Sequence, residues 1–492
     1  MSTYSRGIRA SIVFLTLLPA LRGAEIWMET RMAGQPAGYL HERSETAGGN
    51  TLVTVSELRI VINRMGSRVE IQGTTRSDQS ADGRLLGFRS EIGSSMQSTV
   101  MEGSVRDGAI GLRISTGGKS YDRSIPLTGE LLGPDGARQL TLARLKAPGD
   151  PVSYQVFAAE LGAVSTVTRT FLAREKSGMK IEEVVSGLPG KATVWLDEEG
   201  RILRQVQPGP FGEVEIVRTT KETALAAAGA TLPAETYSKS VVRSNIRLPQ
   251  ERLVESLRIR VTHKKPELGW PELASENQTV VEKSPNAVVI EIRRPQLAGH
   301  GHRPAGVTEE LKPFLAPNAL FQSDDSEVRS IANKVVAGNP DAFASALALR
   351  DWTVANMRFD AGIAIVPASE VVRNRAGTCF AYAVLLGSLT RAAGIPSRLK
   401  MGFAYADGIW GGHAWIEVLV NGKWIPIDAA LPSPDVADAA RFAFFTSSLE
   451  EGTLAGIGSL AQLYGNVDIQ ILGYTLQGKE VTVPQQRSQD RQ

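Results

Sequence analysis

The chain has 492 residues, with a single cysteine, Cys379, and five histidines. A lone thiol cannot form an intrachain disulfide. It is either a small packed hydrophobe or a reactive group. Its setting points to the second. Thr378 is a helix N-cap residue. Tyr382, Ala383, Leu386, Leu389 and Ala393 recur at helical spacing, and Gly394 and Pro396 close the run. Cys379 is therefore expected in the first turn of a helix about four turns long, where the positive end of the dipole favours thiolate, the nucleophilic form.

A hairpin supplies the other two groups. Gly412-His-Ala-Trp-Ile-Glu-Val-Leu-Val420 meets Lys423-Trp-Ile-Pro-Ile-Asp428 across Asn421-Gly422, the strongest short hairpin signal. A two-residue loop pairs Val420 with Lys423 and so sets Trp415 opposite Asp428. His413 shares the face of Trp415 and is the diagonal neighbour of Asp428, within side-chain reach. The acid can then fix the imidazole tautomer and stabilise its charged form. Gly411 and Gly412 are expected to leave room for the Cys379 helix. Magnitudes decide which partner matters. Lowering a thiol from about 8.5 to about 4 takes roughly 6 kcal/mol, and a helix terminus supplies only about 0.3–1 kcal/mol. His413 must supply most of the rest.

These residues also carry a resemblance. Gly377-Thr-Cys379, Ala393-Gly-Ile-Pro-Ser-Arg398, His413-Ala-Trp-Ile-Glu-Val418 and Trp424-Ile-Pro-Ile-Asp428 together resemble the transglutaminase-like superfamily, over roughly residues 313–435. Asp351-Trp352 and Met357-Arg-Phe-Asp360 look like the helix and loop that lead into such cores. The resemblance implies a papain-like core, with Cys379 as nucleophile, His413 as general base and acid, and Asp428 as orienter. It implies an oxyanion hole formed by the backbone N–H of Cys379, on the side of Thr378, with one further donor. Trp352 and Trp410 are the available indoles, as that donor or as a substrate wall. Acyl transfer from an amide of a protein or peptide is the implied reaction, with water or an amine as acceptor. No metal or organic cofactor is implied. A non-catalytic envelope protein, binding protein, peptidoglycan or lipid, is the alternative. An arylamine acetyltransferase shares the order of the three groups, but the His-Ala-Trp-Ile-Glu run and a secretory leader argue against it.

Around this centre the chain reads as α+β. Residues 25–232 are dense in alternating runs and turn dipeptides such as Asp82-Gly83, Asp107-Gly108, Gly117-Gly118 and Pro134-Asp135-Gly136, the pattern of antiparallel sheet. A large curved sheet is expected. In outline it resembles the half-barrels of periplasmic lipoprotein carriers, with no motif that transfers a function. A small β-rich linker follows over 233–310, then the catalytic region over 311–475 and a polar tail over 476–492. Capping residues at Ser323-Asp-Asp-Ser326 open a helix over 327–336. A second helix runs from Asp341 to Met357, with Phe343, Ala346, Leu347, Val354 and Met357 on one face and Arg350 interrupting it. His300 and His302 lack a third ligand at metal spacing and read as a solvated loop.

Composition narrows the classes further. Hydrophobic residues make up 42% and charged residues 22%, ordinary globular usage. With 54 basic and 52 acidic residues, nothing suggests nucleic-acid binding. Arg6 and Arg9, the apolar run Ala10–Leu21 and small residues at Gly23 and Ala24 read as a signal peptide over 1–24. Cleavage would remove three arginines and leave 51 basic residues against 52. No later segment is long and apolar enough to span a bilayer, so a periplasmic or secreted protein is expected, with cell-envelope protein or peptidoglycan peptide as candidate substrate.

Overall fold

The computed structural model describes residues 25–484 except 65–66, 95–96, 160, 189, 210–211, 230–240, 297–300, 305, 361–365, 451–459 and 461. The expected leader over 1–24, His300 and the end of the tail lie outside the described residues. The architecture is α+β, dominated by antiparallel sheet.

A 14-stranded sheet occupies the first part of the chain. Two antiparallel meanders meet where Glu25–Met32 pairs with Gly212–Thr219, Trp27 lying opposite Thr219. The edges are Lys119–Pro126 and Pro151–Ala158. The turn dipeptides work as read. Asp107 and Gly108 have φ of 49° and 73°, and Gly117 and Gly118 have 58° and 75°, the left-handed values a two-residue hairpin loop demands. The sheet curls, because Phe88 stacks on Phe157 of the far edge strand at 4.4 Å between centroids. Pro134-Asp135-Gly136 is not a turn but the start of a helix, Pro134–Arg144. Proline at the first helical position forfeits no hydrogen bond there.

The remaining strands form two sheets of five strands each and a two-stranded parallel pair, Arg358–Phe359 with Ala376–Gly377. The hairpin sheet contains Ser397–Ala406, Ile409–Val420, Lys423–Ile427 and Arg441–Ser447. Another sheet joins Val254–His263, Gln278–Lys283 and Ala287–Arg293 to Val467–Leu476 and Lys479–Thr482. Chain from both sides of residues 311–466 thus builds one sheet, and a strand stands at 479–482, where a polar tail was expected. This sheet docks on the hairpin sheet through Gln278, whose side chain bonds both the N–H (2.9 Å) and the C=O (2.7 Å) of Ala443.

Helix Cys379–Ala392 runs through the centre, buried from Phe380 to Arg391. A helix apolar all round belongs in an interior. Helices Ser326–Val336 and Ala342–Asn356 pack on it, each capped by an aspartate, the first within the capping run Ser323-Asp-Asp-Ser326 read from the sequence. Asp325 accepts from Glu327 and Val328 N–H, and Asp341 from Phe343 and Ala344 N–H. The buried face of the second helix is rotated from the expected one: Ala342, Ser345, Ala346, Leu349, Arg350 and Thr353 are inside, and Val354 is exposed. Small residues let the helix approach closely. Arg350 can turn inward because its guanidinium donates to the carbonyls of Ser433, Pro434 and Asp435.

Candidate active site

The hairpin carries the register read from the sequence. Val420 pairs with Lys423 and Ile416 with Ile427. Asn421 and Gly422 take φ of 52° and 71°. Asp428 follows directly on the strand, and its carboxylate reaches the ring: His413 Nε2 lies 2.7 Å from Asp428 Oδ2. The other oxygen, Oδ1, accepts from the N–H groups of Ala430 (2.8 Å) and Leu431 (3.1 Å). Both residues are buried, at 6% and 2% exposure, so this charge pair lies in a low dielectric.

On the nucleophile side, the first helical bond runs from Tyr382 N–H to Thr378 C=O (3.1 Å), which puts Cys379 at the first helical position. Thr378 stands at the N-cap with extended backbone, but its side chain makes no capping hydrogen bond. The cap is positional only. Ala376–Gly377, just upstream, pairs in parallel with Arg358–Phe359 and fixes the approach to the helix. The helix ends as expected: Gly394 has φ of 73°, and Ile395 N–H bonds back to Thr390 C=O. Cys379 acts on the same ring and raises the proton affinity of His413.

Electrostatics reinforces the geometry. Burial pushes the His413 pKa down, but Asp428 and then Cys379 outweigh it and hold it up at about 9. Asp428 feels the same burial, which would raise it. His413 and the Arg441 guanidinium outweigh that and hold its carboxyl well below the usual carboxylate range. His413 also stacks on Trp415, with centroids 5.9 Å apart and planes 20° apart.

Two other motif residues have structural work. Glu417 pairs across the ladder with Arg398, with Oε2 2.7 Å from Arg398 Nε, and the guanidinium covers the Trp424 ring at 4.1 Å. One buried ion pair thus ties Ala393-Gly-Ile-Pro-Ser-Arg398 to the hairpin. Gly412 makes room not for the nucleophile helix but for the ring of Tyr464, which a Cβ there would meet at 3.0 Å.

Of the two indoles, Trp410 is fully buried, edge-on to Tyr405 at 5.5 Å. It lies three residues from His413, hence on the opposite face of the strand. Trp352 is half-buried, and the Arg375 guanidinium stacks on it at 4.7 Å. His302 is exposed, its backbone bonded to Asn421, and among the described residues no cluster of His, Cys, Asp or Glu is suited to a metal.

Arg441 is the site residue that sequence reasoning missed. Its Nε lies 3.0 Å from Asp428 Oδ2, and it is only 4% exposed. A buried arginine lies in no motif quoted above. The one available signal was its place in the strand Arg441–Ser447, flanked by apolar residues.

Residues 329–429 match the model of the transglutaminase-like superfamily. This segment is a transglutaminase-like domain. The match contains Cys379, His413 and Asp428 and stops short of Arg441. No curated protein matches the chain at a significant level. Among solved structures, a candidate cysteine protease from Cytophaga hutchinsonii shares 17% identity over 48% of this chain and 90% of its own, with a TM-score of 0.32. A β-barrel-like protein of a domain of unknown function from Brucella abortus shares 11% identity over 41% of this chain and 98% of its own, with a TM-score of 0.31. Scores this low carry no argument about activity or substrate.

Proposed function

We propose that the chain is a cysteine-dependent acyltransferase or hydrolase acting on an amide of a protein or peptide. The observation that carries this is the buried hydrogen bond between His413 and Asp428, on a ring whose proton affinity Cys379 also raises. The Cys379 thiolate attacks the carbonyl carbon of a carboxamide. As the tetrahedral species collapses, the C–N bond breaks, and His413 gives its proton to the departing amine. A thioester to Cys379 remains. Water or an amine then attacks it, His413 takes up a proton, and the acid or the new amide leaves with the thiolate restored. The backbone N–H of Cys379, in the first turn of its helix, is one donor to the oxyanion.

The proposed compartment is the periplasm or the exterior, on the strength of the leader-like residues 1–24. A cell-envelope protein or peptidoglycan peptide is the proposed donor. Incubation with glutaminyl and peptide amides tests the reaction, read by mass spectrometry of the intact protein and by release of ammonia or amine. An acyl adduct in the wild type, lost in Cys379→Ala, is expected. No adduct and no product on any amide tried would contradict it.

A further inference from the structure

The segment between Asp428 and Arg441 holds a second buried acid. Asp438 Oδ2 accepts from Ser433 Oγ (2.7 Å) and from Arg441 Nη1, and Oδ1 accepts from Ala440 N–H (2.9 Å). The same Oδ2 lies 2.9 Å from Arg252 Nη1. Arg252 belongs to the short turn Glu251–Leu253 that opens the strand Val254–His263 of the other sheet. Charges therefore alternate in one chain of contacts: His413, Asp428, Arg441, Asp438, Arg252. The chain begins at the buried imidazole and ends on a guanidinium whose side chain is 22% exposed. Arg252, Asp438 and Arg441 all lie outside the matched segment 329–429.

This chain answers an electrostatic problem. His413 Nε2 and Arg441 Nε share one oxygen of Asp428, at 2.7 and 3.0 Å. An arginine there competes with the imidazolium for the charge of the acid. Asp438 opposes Arg441, and Arg252 in turn opposes Asp438. We propose that Asp438 and Arg252, acting through Arg441, are positioning residues that set the charge balance of the His413–Asp428 pair. The other sheet thereby becomes part of the catalytic unit. The proposal rests on the thiol–imidazole pairing above.

Among the described residues, several groups lie near His413, and the Tyr464 hydroxyl bonds the carbonyl of Gly402 opposite it (2.9 Å). Cys379 comes from the buried helix, Asp428 from the end of its strand and Arg441 from the strand beyond. Trp415 stacks on the ring, and Lys400, opposite Trp415, is offset by Glu417, 3.8 Å from its ammonium. Removing a negative charge from the chain lowers the proton affinity of His413, and removing a positive charge raises it.

The test follows the His413 ring by NMR against pH, its signals assigned by their loss in His413→Ala. Asp438→Asn is expected to lower the titration midpoint, and Arg252→Met to raise it, each by about 0.5–1 unit. Arg252→Lys should restore the wild-type value. Opposite signs distinguish charge from loosening, which would move both variants the same way. Midpoints unmoved, or moved together, overturn the proposal. If Asp438→Asn fails to fold, Arg252→Met against Arg252→Lys decides alone, because that side chain is partly exposed. Cys379→Ala separates the two levels. A wild-type midpoint indifferent to Cys379→Ala removes the underlying pairing itself.

Discussion

A histidine buried at 6% exposure would normally stay neutral, yet burial here loses to Asp428 and Cys379. The sign of the resulting pH dependence is fixed. The folded pKa of about 9 stands above the ordinary 6.5, so the stability His413 contributes is complete below about 6.5 and is lost as pH rises through about 9. Asp428 works in the other direction. Its depressed pKa contributes stability above the ordinary carboxylate range, lost only at strongly acid pH. Thermal unfolding scanned from pH 6 to 10 should therefore show a fall in Tm over the alkaline half. His413→Ala should flatten it. An unchanged alkaline slope in that variant would mean that the ring is not held charged.

At the scale of elements, helix Cys379–Ala392 is positioned by packing rather than by a cap. Thr378 makes no capping bond, and burial on all sides does the work. Gly387 shows how tight this is, because a Cβ there would lie 2.6 Å from the ring of the fully buried Phe321. Gly387→Ala should cost about 1–3 kcal/mol by overpacking, measured by urea unfolding. A change under about 0.5 kcal/mol would show that the helix has slack. The same tightness explains which elements were legible in advance. Asn421-Gly422 fixes a register locally, so the meeting of His413 and Asp428 could be derived from sequence. The aspartate cap at Asp325 is an equally local signal. The inward face of helix Ala342–Asn356 is not. It depends on Arg350 finding the carbonyls of residues 433–435, more than eighty positions away. Arg441, Asp438 and Arg252 are read only once folding has brought them together, because no spacing relates a residue at 252 to one at 438.

Across the whole molecule, the large sheet is bonded to the segment that leads into the transglutaminase-like domain. The hairpin at Gly117-Gly118 meets the loop before helix Ser326–Val336. Tyr121 donates to Asp324 (3.2 Å), and Lys119 pairs with the same carboxylate (3.0 Å). These are partly exposed contacts of small worth. Gln322 is different. It is fully buried, donating from Nε2 to Thr116 C=O (3.2 Å) and accepting at Oε1 from Ser369 N–H (3.0 Å). Gln322→Ala leaves both backbone groups without that partner, a loss of about 1–3 kcal/mol. Separate unfolding transitions for the two parts, where the wild type shows them coupled, are the expected result. Unfolding unchanged from wild type would assign the coupling elsewhere. The antiparallel character of this sheet was legible from its turn dipeptides. Its fourteen-strand span and its curl, fixed by Phe88 against Phe157, were not, because both arise between strands far apart in sequence.

All of this converges on one measurable property of one sulfur. The rate of alkylation of Cys379 by iodoacetamide, followed against pH, reports a single thiol without ambiguity. A thiolate that forms well below the ordinary value of about 8.5, with that early phase lost in His413→Ala, is the predicted result. A titration near about 8.5 that His413→Ala leaves unchanged would contradict the account at its centre.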